Sequence, residues 1–187
     1  MNKLFFAFCF LLLPVVSVAS ISYEKLNKLV ATPTYLSGKF TQDKYLSELD
    51  TTLHSSGVFS YQRGESIRWE TIEPIKNVLI MTPQRIINSQ GDKVIISLDV
   101  TSNPVIAALS DIFFSVITAE WDALSAYFLM SGTLAESAWN VNLVPIDETM
   151  LQVVERVTLK GDSLLRELIF YEKNGDQTVI FFDALTE

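Results

Sequence analysis

From Tyr35 onward the apolar residues switch from helical to two-fold spacing, and this alternation restricts the fold more than any other feature of the chain. In "YLSGKFTQDKYLSEL", Leu36, Gly38 and Phe40 occupy every second position with polar residues between them, as a strand buried on one face requires. The same pattern predicts strands over residues 53–62, 66–71, 77–82, 85–88 and 93–98, and again over 132–135, 139–144, 151–159, 164–171 and 178–182. Lys160-Gly161-Asp162 and Asn174-Gly175-Asp176 mark two tight turns, each with the glycine that short hairpins favour. About ten or eleven antiparallel strands follow from this reading.

Two segments break the alternation. Residues 23–30 place Leu26, Leu29 and Val30 at helical spacing behind Ser22, an N-cap, and stop before Thr32-Pro33. Residues 103–129 carry no basic residue; Pro104 suits a first helical turn capped by Ser102 or Asn103, and Thr118 suits the cap of a second helix holding Trp121, Leu124, Phe128 and Leu129. The first of these helices is apolar on nearly every side, through Val105, Ile106, Leu109, Ile112, Phe113, Phe114, Val116 and Ile117. Such a helix is buried on both faces or rests over something greasy. A long meander with little helix to cover it must close on itself, stack, or surround a ligand. Twelve Phe, six Tyr and three Trp are a generous stock for a single sheet.

The N-terminus reads as a cleaved secretory signal over residues 1–19: Lys3, an apolar run over residues 4–16, then Ser17-Val18-Ala19. The run is short of the ~20 residues a membrane span needs. Cys9 lies within it behind Phe8, a poor lipidation context, so the mature chain from Ser20 has no thiol for disulfides, catalysis or metal binding. One domain is expected over residues 20–187, with no repeat or linker. The formal charge of −8 makes nucleic acid a poor partner, disfavours tight residence on an anionic bilayer, and becomes one unit more negative when Lys3 is removed.

Catalytic chemistry lacks its parts. His54 is the single histidine, beside Ser55 and Ser56 but without an identifiable acid, and no phosphate loop, dinucleotide pattern or nucleophile elbow is present. Acid pairs such as Glu70 with Glu73 or Glu167 with Glu172 read as solvent faces, and "NGDQ" and "PIDE" offer too few spaced oxygens for calcium. No metal and no cofactor is expected.

"LSGKFTQ" (36–42), "SGVFSYQRGESIRWETIEP" (56–74) and "NVLIMTPQRI" (77–86) keep the order and spacing of the periplasmic LolA-like lipoprotein carriers, which the chain resembles. Phe40, Gln42, Gly57, Arg63, Trp69 and Pro74 fall on that family's characteristic places. The C-terminal stretch from Ala138 to Phe182 is similar to a branch of the family linked to aryl polyene and fatty acid biosynthesis clusters. The chain departs from the pattern at Arg63-Gly64, where Arg-Pro is common, and at Thr82-Pro83-Gln84, where an Asp-Gly turn is common.

The resemblance implies a mainly β fold, an incomplete antiparallel barrel of about eleven strands covered by lid helices. It also implies a monomeric periplasmic carrier without enzymatic activity. Such a carrier holds the acyl chains of a lipoprotein or a lipid, takes them from an inner-membrane transporter and delivers them to an outer-membrane acceptor. On that reading Phe59, Tyr61, Trp69, Leu79, Met81, Ile96, Trp139, Val141 and Phe170 line the wall; Ile106, Leu109, Phe113 and Phe128 belong to the lid. Arg63, ending the Phe59 and Tyr61 row, would reach lid carbonyls and favour the closed state. Two alternatives remain: a lipid-sensing regulatory protein on the same fold, for which a further C-terminal domain is expected and Glu187 comes too early, and a periplasmic hydrolase using His54.

Overall fold

The computed structural model describes residues 21–102, 104–135 and 137–187; the signal segment, Cys9 and the Asn103 cap lie outside the described residues. Helix α1 (Tyr23–Leu29) opens the fold and six strands follow: β1 (Tyr35–Leu46), β2 (Thr51–Gln62), β3 (Ser66–Glu73), β4 (Asn77–Met81), β5 (Arg85–Gln90) and β6 (Lys93–Asp99). A 3-10 turn (Val100–Ser102), helix α2 (Pro104–Thr118) and the single turn α3 (Trp121–Leu124) lead into β7 (Phe128–Leu134) and β8 (Trp139–Pro145). Another single turn, α4 (Met150–Val153), precedes β9 (Val154–Gly161), β10 (Leu165–Glu172) and β11 (Gln177–Thr186).

All eleven strands form one antiparallel sheet in the order β6-β5-β4-β3-β2-β1-β11-β10-β9-β8-β7. Two meanders, β1 to β6 and β7 to β11, are thus joined side by side where β1 pairs with β11, with Phe40 opposite Phe182 and Gln42 opposite Ile180. The outer strands β6 and β7 are not paired with each other, so the sheet is open, as an incomplete barrel requires. The helical insertion runs from one edge strand to the other.

Alternation sets the inner face. Register carries a continuous apolar surface from Phe40 through Phe59, Trp69 and Leu79 on one side, and through Phe182, Ile180, Leu168 and Leu159 to Val141 on the other. Gly57 is demanded by this packing: a Cβ there would collide with the Glu70 carbonyl on β3 and crowd the Phe40 ring. Gly175 takes φ 89° in the β10–β11 turn, as predicted. Gly161 differs from expectation. It ends β9 in extended backbone, where a side chain would strike the Leu164 carbonyl and the Trp139 ring, so close packing rather than turn geometry requires it.

Helix α1 starts at Ser22, whose Oγ accepts the Lys25 amide at 3.3 Å, and it buries Leu26. The Tyr23 hydroxyl donates to the Phe128 carbonyl at 3.0 Å, fastening α1 to β7. Burial raises the Tyr23 phenol to about 12, so this donor stays protonated well above neutrality.

Two expectations for the insertion and one for the segment after β8 are corrected. Phe128 is not a lid residue: it begins β7 opposite Pro145, is 1% exposed, and continues as an alternating strand with Leu129 outward. The cause is the Tyr127 carbonyl, which accepts the Ile146 amide at 2.8 Å and starts sheet pairing immediately after α3. Thr118 does not cap α3 but ends α2, and the following Ala119 turns the chain at φ 57°. The start of the strand expected over residues 151–159 instead belongs to α4 (Met150–Val153), because the Asp147 carboxylate accepts the Thr149 and Met150 amides at 2.9 and 3.1 Å.

Candidate functional site

Between α2 and the inner face of the sheet lies a cavity of about 310 Å³. Ile112, Phe113 and Val116 form its roof, with Ser110 at one corner. Its walls come from strands on both sides of the sheet: Leu79 and Met81 of β4 and Ile86 of β5 on one, Val157 of β9, Leu168 and Phe170 of β10, and Thr178 and Ile180 of β11 on the other. Only Ser110 and Thr178 bring polar side-chain atoms. Such a lining suits hydrocarbon, and its size falls at the small end of the ~300–1,000 Å³ of typical ligand pockets.

The floor beside the cavity is a packed aromatic cluster. Phe40 lies against Trp69 with centroids 3.9 Å apart, Phe59 stacks on Trp69 at 5.9 Å, and Phe182 meets Phe59 edge-on at 5.4 Å. Phe113 descends from α2 onto this cluster, edge-on to Trp69 at 5.8 Å. It is therefore both roof of the cavity and anchor of the helix. At the other end of the insertion Trp121 of α3 packs edge-on against Trp139 at 5.5 Å, and the Trp139 indole donates to the Asp162 carbonyl at 2.6 Å.

Of the wall and lid residues expected from sequence, Leu79, Met81, Phe113 and Phe170 line the cavity. Phe59 and Trp69 fill the aromatic cluster beside it. Trp139, Val141 and Phe128 belong to the buried core, with Trp139 beneath α3. Ile106 is half-buried on α2, and the Leu109 side chain lies outside the described residues. Ile96, paired with Asn88, is 43% exposed on the edge strand β6, where with Leu98 it extends the Leu79 and Ile86 wall outward. Sequence reasoning missed Ile86, Ser110, Ile112, Val116, Val157, Leu168, Thr178 and Ile180. Strand parity was the available signal: Phe170 opposite Val157 and Thr178, and Leu168 opposite Ile180, share one face.

Arg63 stands in the β2–β3 turn, half-buried. Its Nε and Nη2 donate to the Pro33 carbonyl at 3.3 and 3.1 Å, and Nη1 lies 3.5 Å from the Glu120 carboxylate. Instead of carbonyls of α2, the guanidinium thus grips the α1–β1 connection and the corner between α2 and α3. Tyr61, two residues earlier, is buried; burial pushes its phenol up, opposed by the Arg63 charge and aided by Glu120. His54 is far more exposed, with Nδ1 2.7 Å from Asp43 on the neighbouring strand. Among the described residues no cluster of three or more His, Cys, Asp or Glu is placed to hold a metal, and no helix is long and apolar enough to cross a membrane.

An open antiparallel sheet flanking an apolar cavity, with a helix bridging its edge strands as a cover, defines an incomplete half-barrel. Residues 32–187 match the outer membrane lipoprotein carrier protein LolA family, and the chain belongs to that family of periplasmic carriers. Several solved structures resemble the chain at low identity. MucB in its complex with MucA from Pseudomonas aeruginosa is 15% identical with a TM-score of 0.50, covering 88% of this chain and 56% of that one. A LolA superfamily protein from Nitrosomonas europaea is 9% identical with a TM-score of 0.43, covering 88% and 90%. A DUF1329 family protein from Desulfovibrio piger is 11% identical with a TM-score of 0.44, covering 87% and 89%. Comparison with curated proteins gives no match.

Proposed function

We propose that the protein is a periplasmic carrier that binds acyl chains without covalent chemistry and shuttles them from an inner-membrane transporter to an outer-membrane acceptor. The cavity beneath α2 carries this reading: it is lined by side chains from five strands and one helix, and nearly all of them are apolar. Burying a CH₂ contributes ~0.8 kcal/mol, so an acyl chain that is insoluble in water is held firmly in such a lining. Ile96 and Leu98, exposed on the inner face of β6, provide an apolar approach from the open edge to the wall formed by Leu79 and Ile86.

The same burial makes delivery the difficult step, and the empty, closed state must compete with cargo. Two contacts supply that competition. Phe113 on Trp69 holds the roof down, and Arg63 ties the turn beside Tyr61 to Pro33 and Glu120. A chain long enough to lift α2 strains both, and release restores them. Protein purified from its own periplasm should carry an acylated species detectable by native mass spectrometry and lipid extraction. Recovery of ligand-free protein alone, under conditions where a reference carrier retains its cargo, would overturn the reading.

A further inference from the structure

The side of α2 turned away from the cavity faces a second space of about 380 Å³, bounded by Tyr61, Ser110, Phe114, Thr118, Glu120 and Tyr127 among others. Successive helical residues turn by about 100°, so Ile112, Phe113 and Val116 fall on one side of α2 and Asp111, Phe114, Ser115 and Thr118 on the other. Ser110 falls on the border and lines both spaces. The two are therefore neighbours across one residue.

Their chemistry differs. Tyr61 Oη, Ser110 Oγ and Thr118 Oγ1 have no hydrogen-bond partner among the described residues. The three residues are 1%, 4% and 3% exposed. Buried hydroxyls are nearly always satisfied, so three unsatisfied ones around a single space mark a site built to receive donors and acceptors. Charge narrows what those can be. Asp111 and Glu120 both line the space, and no basic side chain does. The adjacent cation, Arg63, lies outside this lining, donates from Nε and Nη2 to Pro33 and sits 3.5 Å from Glu120, while Asp111 accepts from the Tyr127 hydroxyl at 3.2 Å. A carboxylate or phosphate would meet the Asp111 and Glu120 carboxylates in a lining whose described residues include no basic side chain, with the nearby Arg63 already paired to Glu120.

We propose that this space is the head-group subsite of the acyl cavity, and that it selects an uncharged, hydroxyl-bearing head of the glycerol-ester class over an anionic one. The inference rests on the acyl-carrier reading, with Ser110 as the junction between chain and head. Tyr61, Ser110 and Thr118 each donate one hydrogen bond and accept others, matching a head with hydroxyl and ester oxygens.

The test compares three compounds with one chain and different heads: 1-monolauroylglycerol, methyl laurate and laurate. Each displaces an environment-sensitive hydrophobic probe from the mature protein at neutral pH, below its aggregation concentration. The glycerol ester should displace the probe at a concentration at least tenfold below that of laurate, with the methyl ester between them. In Tyr61→Phe and Thr118→Val the ratio between glycerol ester and methyl ester should shrink several-fold. If none of the three displaces the probe from the wild type, the carrier reading itself fails. Displacement by all three at equal concentration, or best by laurate, sinks the subsite and leaves the carrier standing. The wild-type comparison decides even where a variant does not fold.

Discussion

Phe113 of α2 stands edge-on to Trp69 of β3, with ring planes at 70° and centroids 5.8 Å apart, and the same Phe113 side chain closes the cavity. One residue thus couples the position of the helical cover to the volume beneath it. Truncation of a fully buried Phe to Ala costs about 3–5 kcal/mol, and half-buried Phe113 should fall near 2 kcal/mol. Phe113→Ala is expected to lower the unfolding free energy by that amount and to speed exchange of a bound probe, because the cover loses its anchor. Phe113→Leu, which keeps an apolar roof, should recover most of the stability and little of the ring contact. Stopped-flow probe release beside urea titration checks both.

Arg63 should oppose cargo. Loading that shifts the α2–α3 corner weakens its bonds to Pro33 and its pairing with Glu120. A charge-assisted hydrogen bond contributes about 1.5–3 kcal/mol when desolvated, but this guanidinium is about one-third exposed and an exposed pair adds ~0–1 kcal/mol. A net effect near 1 kcal/mol corresponds to roughly fivefold in affinity. Arg63→Leu is expected to slow dissociation of a fluorescent acyl ligand by about that factor, with Arg63→Lys between. Equal off-rates in all three folded proteins would make Arg63 a rim residue without a part in release.

Gly57→Ala should be among the most damaging small substitutions in the sheet. The added methyl meets the Glu70 carbonyl, which is backbone and cannot swing aside. Overpacking of this kind costs about 1–3 kcal/mol, and the upper end is expected here. Gly64→Ala offers the contrast: a Cβ there meets open space, though φ 71° leaves a backbone penalty of about 1 kcal/mol. Paired urea titrations of the two variants give the comparison.

Acid stability should depend in part on Asp162. Burial alone would raise its pKa, but the Leu164 amide, the Arg166 guanidinium at 2.9 Å and the Ser163 hydroxyl together hold it below the usual carboxylate range. A depressed carboxylate stabilises the fold above its unfolded pKa of about 3.9 and loses that contribution as pH falls through its folded value. The expected signature is a loss of stability beginning below about pH 4, shallower in Asp162→Asn than in the wild type. Thermal melts from pH 2.5 to 6 measure it; parallel curves for the two proteins would remove Asp162 from the acid limb.

Most of the sheet is legible in the sequence because half-buried strands must alternate, and residues such as Phe40, Phe59 and Leu79 do so without interruption. The site is less legible. Alternation assigns Ile180 and Leu168 to one face, but which face curves inward follows from the pairing of the first strand with the last, a contact between residues far apart in the chain. Phe128 shows a different limit. It stands four residues after Leu124 and two before Met130, so it satisfies both helical and strand spacing, and only the Tyr127 carbonyl bonding to Ile146 decides between them. Trp69 and Phe59 were visible as inner-face aromatics, yet whether such rings line a space or fill it depends on how closely they stack on each other. The second space around Thr118 left no signal, because Thr118 reads as a cap until the chain reverses at Ala119.

The most direct test of acyl-chain burial beneath α2 is to fill the cavity and ask whether binding disappears. Val116 is 2% exposed and forms part of the roof, and Thr178 lies on the facing wall, so Thr178→Trp places an indole in the space with little change to the outer surface. Binding of an environment-sensitive acyl probe is measured by titration at 25 °C, with circular dichroism confirming the fold. The wild type should bind the probe in its native state and release it to lauroyl compounds, and Thr178→Trp should bind at least tenfold more weakly. Equal binding by both folded proteins, or a wild-type signal that appears only near the unfolding temperature, would contradict a cargo cavity in this fold.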